Sequence, residues 1–225
     1  MEEIKRRVAE AAAEQVKDGM TVGLGTGSTA YWAIRKLGER VKEGLNVKAI
    51  ATSSRSESLA VEFGIPLVTF AETDVLDVTI DGADEVDPAL NLIKGGGGAL
   101  LREKIVAAAS RRFVVVVDDT KRVDRLGAFP LPVEVVTFGA EATKRALESL
   151  GCASRFRMAD KCEYVTDNGN FILDCDFGLI REPEPLAQAI NAIPGVVDNG
   201  LFANMAHVVM VGCGDGSIVV MERGE

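Results

Sequence analysis

The chain is short of the residues that several kinds of function depend on. Its 225 residues hold one histidine, His207, and one tryptophan, Trp32. Four cysteines, Cys152, Cys162, Cys175 and Cys213, lie far apart with no C-x-x-C pair. With a single histidine beside them they have no zinc-ligand spacing, and a chain this long does not need disulfides to supplement its core. Reduced thiols and a cytoplasmic location are the expectation. Positive charge is also scarce: 25 Lys and Arg stand against 34 Asp and Glu, a net charge of −9. No general basic field exists to hold nucleic acid, although a few lysines and backbone N–H groups suffice for one phosphate. Long apolar runs are missing too. FVVVV (113–117) and HVVMV (207–211) are strand-length and too short to span a membrane. The opening MEEIKRRVAEAAAEQ is charged and lacks the apolar stretch of a signal peptide. Internal repeats, low-complexity tracts and flexible linkers are likewise not apparent.

What is present is alternation. Ile4, Val8, Ala11 or Ala12, and Val16 recur at helical spacing and predict a helix over 2–17, closed by Asp18-Gly19. TVGLG (21–25) predicts a buried strand running into a glycine-rich turn and a second helix. Further strands are expected at 46–52, 66–70, 75–80 and 113–119, with helices at 56–64 and 99–110. In the last helix Leu101, Ile105 and Ala108 form the apolar stripe, which puts Glu103 on the other side. Strands and helices alternating at these intervals predict an α/β fold: a Rossmann-like, mostly parallel sheet with helices on both faces. After Gly127 the pattern changes. FPLPVEVVTF (129–138), a helix at 139–151, an Asn168-Gly169 hairpin signal and a helix at 185–193 predict a small α+β, ferredoxin-like domain with an antiparallel sheet. The expected division is 1–128 with 200–225 as the Rossmann-like catalytic domain and 129–199 as the small domain. The strands in 207–223 surround a Gly-Asp-Gly turn.

Several segments have the residue types of a ligand site. GLGTGST (23–29) ends a strand and opens a helix, so Thr26, Gly27, Ser28 and Thr29 place hydroxyls and free N–H groups where an anion would sit. Its G-x-G-x-G spacing fits neither the dinucleotide fingerprint nor the Walker loop; a tight turn with a capping hydroxyl is the plain alternative. DGADEVDP follows the strand at 75–80, and in open parallel sheets ligands gather beyond the carboxyl ends of strands. As an EF-hand it fails, since Thr79 and Pro88 stand where calcium ligands are required. Taken singly, Asp81 and Asp84 read as turn residues facing water. Lys94 precedes Gly95, Gly96, Gly97 and Gly98, a run whose entropic cost suits a nest of N–H groups or a hinge. Glu103 reads alone as a solvated helix residue, Lys121 as a lysine past a strand end, and His207 as structural. Glu85 and Asp87 read as solvent-facing.

Taken together, GLGTGST, DGADEVDP, LIKGGGGALLREKI, DDTKRVDRLG, PLPVEV, VTDNGN and INAIPGVVDNGLF resemble, in order and over nearly the whole chain, the type A ribose-5-phosphate isomerases. Two departures are small: the four glycines are uninterrupted, and Asp119 stands where some members have a small residue. The resemblance implies interconversion of D-ribose 5-phosphate and D-ribulose 5-phosphate in the non-oxidative pentose phosphate pathway, with neither metal nor organic cofactor. It implies Glu103 as the base that moves a proton between C2 and C1 through an enediolate, a task favoured when burial raises a carboxyl pKa. Lys94 and the Gly95–Gly97 backbone would steady the enediolate oxygen. Asp81 and Asp84 would move oxygen-bound protons and open the furanose, with the division between them left open. Thr26, Gly27, Ser28, Thr29, Asp81, Gly82, Ala83, Asp84, Lys94, Gly95, Gly96, Gly97 and Lys121 would contact the sugar phosphate, and Lys5 is a further candidate for its phosphate. A homodimer or homotetramer is the family precedent, with the small domain able to supply an interface. Two other readings within the superfamily are a sugar-phosphate-sensing domain and a CoA-transferase-like enzyme. The sensor usually follows a helix-turn-helix module, for which the first 20 residues leave no room.

Overall fold

Strands that are apolar from end to end must be covered on both faces, and that requirement organises the first half of the protein. In the computed structural model, which describes residues 1–224, Phe113–Asp118 is buried at every position. It lies inside a six-stranded sheet ordered Ile218–Glu222, Val208–Gly212, Phe113–Asp118, Val78–Asp81, Thr21–Leu24, Lys48–Ala51. All neighbours are parallel except the edge pair formed by Val208–Gly212 and Ile218–Glu222. Taking the strands in chain order, the parallel part runs 2-1-3-4-5, a doubly wound order whose direction reverses between Thr21–Leu24 and Val78–Asp81. Ligand loops belong at such a reversal. Helices Glu2–Ala13 and Ser28–Lys42 bury Val8, Ala12, Ala33, Ile34 and Leu37 against Val22, Leu24, Ile80, Val114 and Val116.

The chain divides into two compact units. The first comprises Met1–Ala83, Arg102–Arg122 and Met205–Glu225, and the second comprises Asp84–Leu101 and Val123–Asn204. The second unit has its own core, in which Leu131, Val133 and Val135 meet Leu173, Cys175, Leu147 and Ile190. Its main sheet is antiparallel, ordered Val196–Asn199, Leu131–Val135, Phe171–Asp176, Ala153–Phe156. With helices Ala140–Glu148 and Pro183–Asn191 this is a βαββαβ unit of ferredoxin-like order. A smaller sheet joins Leu201–Phe202, Leu92–Ile93 and Glu85–Val86.

Boundaries differ from the sequence reading where local chemistry competes with periodicity. The first helix ends at Ala13 rather than 17, yet Val16 stays buried through the following turn. The third begins at Ser54, because the Ser53 hydroxyl accepts from the Ser56 N–H at 3.1 Å and caps it. The apolar run 66–70 makes only a single bridge, Leu67 to Ala49, instead of a strand. Around Asn168-Gly169 the turn forms as expected, with the Thr166 N–H donating to the Asn170 carbonyl at 2.9 Å. The strand paired with Phe171–Asp176 is nevertheless the distant Ala153–Phe156, and a small hairpin, Met158–Ala159 with Cys162–Glu163, lies between them.

Candidate functional site

In the first unit the loop after Thr21–Leu24 and the loop after Val78–Asp81 leave neighbouring strands at the reversal point. Their backbones approach so closely that a Cβ on Gly25 would lie 2.2 Å from Asp81 Oδ1 and 2.5 Å from its Cα. Asp81 is 1% exposed. Its Oδ1 accepts from the Thr26 N–H at 2.9 Å and the Gly82 N–H at 2.7 Å, so one carboxylate ties both loops. A water-facing turn aspartate is therefore the wrong description. Gly27 takes φ +109° at the mouth of helix Ser28–Lys42, a conformation that favours glycine, and its missing side chain leaves that helix start without a side-chain cap. The Thr26 hydroxyl turns inward, 2.7 Å from Thr52 Oγ1 and 2.8 Å from Ser53 Oγ, into a cluster completed by Ser56. Ser28 is exposed, and the Lys5 ammonium donates to its hydroxyl at 3.0 Å. The lysine inferred only from its place in the first helix thus stands at the same helix start.

Glu103 is placed by the direction of its helix. Leu76 and Thr79 meet the helix end: the Leu76 N–H donates to the Ala109 carbonyl, and the Thr79 and Ser110 hydroxyls are 2.6 Å apart. One turn back, Val106 packs over Gly23, where a Cβ would stand 2.6 Å from Val106 Cγ1. The helix therefore runs against the strands, and Glu103, a further turn back, lies toward their carboxyl ends. It is 5% exposed. The buried stripe is Leu100, Glu103, Val106 and Ala107, whereas Ile105 is 48% exposed. The stripe Leu101, Ile105 and Ala108 expected from the sequence is the opposite face, since Leu100, Leu101, Ile105 and Val106 leave apolar residues on both sides of a nine-residue helix. Glu103 is not a solvated helix residue.

Lys121, half-buried, ends the 3-10 turn Asp119–Lys121 directly past Phe113–Asp118. Buried Asp118 caps that turn, accepting from the Thr120 N–H at 3.1 Å and from the Thr120 hydroxyl. His207 has the structural part expected of it: its Nδ1 accepts from the Phe113 N–H at 3.0 Å.

The second unit holds the remaining candidates. Asp84 Oδ2 accepts from the Gly96 N–H at 2.7 Å. Lys94 is 2% exposed, with Nζ 5.5 Å from the centroid of the Phe202 ring and its backbone N–H bonded to the Gly200 carbonyl. Gly95 has φ +105°, and a Cβ there would press within 2.9 Å of Leu100 Cβ. The Gly98 N–H closes a turn onto the Gly95 carbonyl at 3.0 Å, leaving Gly96 and Gly97 exposed at its tip. The run is a defined turn. Glu85 is buried, and its two oxygens accept from the Gly127 and Phe129 N–H groups at 2.7 and 2.6 Å. Asp87 accepts from the Ala89 and Asn91 N–H groups at 2.9 and 2.8 Å. Both acids organise backbone, and Glu85 is withdrawn from solvent while Asp87 is only half-buried. Nothing in the local sequence marked Arg157, whose guanidinium donates to the Gly95 and Gly96 carbonyls. Among the described residues no group of three or more His, Cys, Asp or Glu is arranged to hold a metal ion, and no helix is long and apolar enough to cross a membrane.

The fold and these loops define an α/β protein of the doubly wound class, with acid-bearing and N–H-rich loops beyond the carboxyl ends of its central strands. The family model described as ribose 5-phosphate isomerase A (phosphoriboisomerase A) matches residues 48–216. A relative named ribose-5-phosphate isomerase A from Bacillus mycoides is 49% identical over 96% of this chain and 98% of its own. Its namesake from Bacillus cereus is 54% identical over 95% and 98%. Among solved structures, ribose 5-phosphate isomerase A from Methanocaldococcus jannaschii is 45% identical with a TM-score of 0.93, over 98% of this chain and 99% of its own. A D-ribose-5-phosphate isomerase in complex with phospho-erythronic acid is 41% identical with a TM-score of 0.95, over 99% of each chain. The chain belongs to the ribose-5-phosphate isomerase A family, and it is an isomerase.

Proposed function

We propose that the protein interconverts D-ribose 5-phosphate and D-ribulose 5-phosphate through an enediolate, with Glu103 as the general base. The observation that carries this reading is the burial of Glu103, one turn back from Val106 toward the carboxyl ends of the strands. A carboxylate withdrawn from bulk water is kept for a purpose, since burying such a group is costly. Glu103 takes the proton from C2 and returns it to C1. Its movement leaves two electrons on the C1–C2–oxygen system, and Lys94 with the Gly95–Gly97 backbone offsets the resulting negative charge. Asp81 and Asp84 exchange protons with O1, O2 and the ring oxygen. Thr26 to Thr29, with Lys121 and Lys5, hold the phosphate; the uncapped start of helix Ser28–Lys42 supports this, because its N–H groups and dipole favour an anion. Thr26 contributes there through its backbone, its hydroxyl being committed to Thr52 and Ser53. The relative bound to phospho-erythronic acid adds support. That ligand joins a phosphate to a planar, two-oxygen anionic carbon, the shape and charge of an enediolate. The reaction needs no metal or organic cofactor.

Turnover of ribose 5-phosphate in D2O containing excess EDTA tests the reading. Ribulose 5-phosphate is expected, with solvent deuterium at C1 in the fraction of turnovers in which the proton on Glu103 exchanges before its return. Activity that EDTA abolishes and a divalent metal restores would contradict it.

A further inference from the structure

The glycine turn of the second unit is gripped from one side by a charged pair that the reaction scheme does not use. Arg157 Nη1 donates to the Gly95 carbonyl at 2.7 Å and to the Gly96 carbonyl at 3.1 Å. The same guanidinium is anchored through Nη2 and Nε to the two oxygens of Asp174, at 2.5 and 3.2 Å. Both side chains are largely buried, at 15% and 14% exposure, so this pair escapes most of the screening that weakens surface ion pairs. Asp174 sits in strand Phe171–Asp176 opposite Pro132, and Pro132 lies 3.3 Å from where a Gly95 Cβ would be. Tyr164 closes the far end, its ring and hydroxyl standing where a Cβ on Gly98 would fall. Burial raises the Tyr164 pKa, which keeps its hydroxyl protonated.

Peptide planarity turns this grip into a functional statement. In a trans peptide the C=O and the next N–H point in opposite directions. Holding the Gly95 and Gly96 carbonyls toward Arg157 therefore turns the Gly96 and Gly97 N–H groups away from it. The Gly96 N–H meets Asp84, and Gly97 lies on the exposed tip. A positive charge on a carbonyl oxygen also polarises the attached N–H and strengthens it as a donor.

We infer that Arg157, anchored by Asp174, is a positioning residue that holds the Gly96 N–H on Asp84 and aims and polarises the Gly97 N–H of the glycine turn toward the anionic intermediate. This rests on the assignment of that turn to the enediolate. Arg157→Met removes both bonds. It is expected to lower kcat about tenfold or more while KM for ribose 5-phosphate stays within about threefold, a fraction of what a lost oxyanion donor costs. Affinity for a phosphorylated aldonic acid, which mimics the planar anion, should fall in parallel with kcat, and affinity for the corresponding alditol phosphate should hold. Arg157→Lys keeps the charge without the fork and should recover part of the loss. Asp174→Asn, which preserves shape and frees the guanidinium, should give a smaller loss of the same pattern and serves if Arg157→Met does not fold. Native kcat in both Arg157→Met and Asp174→Asn would overturn the inference, as would equal weakening of both inhibitors. The underlying assignment fails separately: native-like affinity of the unmodified protein for aldonate and alditol phosphates, with no preference for the anion, would remove the turn from enediolate binding whatever Arg157 does.

Discussion

Gly25 shows how much a single side chain, or the lack of one, decides here. A methyl group at that position would fall on the backbone and carboxylate of Asp81, which is backbone as much as side chain and so cannot swing aside. Gly25→Ala is expected to lower stability by about 3 kcal/mol, the upper part of the range for overpacking, and to cut activity because Asp81 is displaced. Denaturant unfolding and steady-state assays check both effects; unchanged stability would mean that the loops are less tightly joined than their geometry requires. Their backbone partners divide the acids of 81–87 into kinds that a sequence cannot separate. Asp81, Asp84 and Glu85 all accept backbone N–H groups. Only the identity of those groups distinguishes a carboxylate that links two ligand loops from one that staples the chain at 127–129.

Among the elements, those whose pattern spans several turns or a continuous β-branched run were legible in advance. Helix Ser28–Lys42, strand Phe113–Asp118 and the βαββα order after Gly127 all appear where periodicity and turn residues put them. Short elements were not, for reasons that can be named. Strand 66–70 fails because its apolar residues find a partner only at Leu67. In the helix Leu100–Ala108 two candidate stripes are equally apolar, and tertiary packing over Gly23 selects the one containing Glu103. Strand Val196–Asn199, unmarked by any alternation, forms because Leu131–Val135 offers it an edge. The same limit hid Arg157. A lone arginine in a strand-rich segment has no local signature, and its meaning comes from a glycine turn 61 residues away in the chain.

Both units carry candidate residues: Thr26–Thr29, Asp81, Glu103 and Lys121 belong to the first, and Asp84, Lys94 and Gly95–Gly97 to the second. A net charge of −9 gives no long-range attraction for a phosphate, so recognition rests on local donors. The second unit also exposes large apolar side chains, above all Phe138 at 94% and Leu179 at 64%. Self-association as a homodimer or homotetramer, the precedent that the family resemblance implies, is the prediction to test on this surface. Sedimentation equilibrium should return two or four times the 23.9 kDa chain mass, and a monomer at micromolar concentration would contradict it.

The role of Glu103 as general base is tested by the steady-state kinetics of Glu103→Gln. That change keeps the shape and removes the base. A kcat lower by about two decades or more is expected, with KM for ribose 5-phosphate within about threefold of the unsubstituted protein. Turnover close to that of the unsubstituted protein would contradict it.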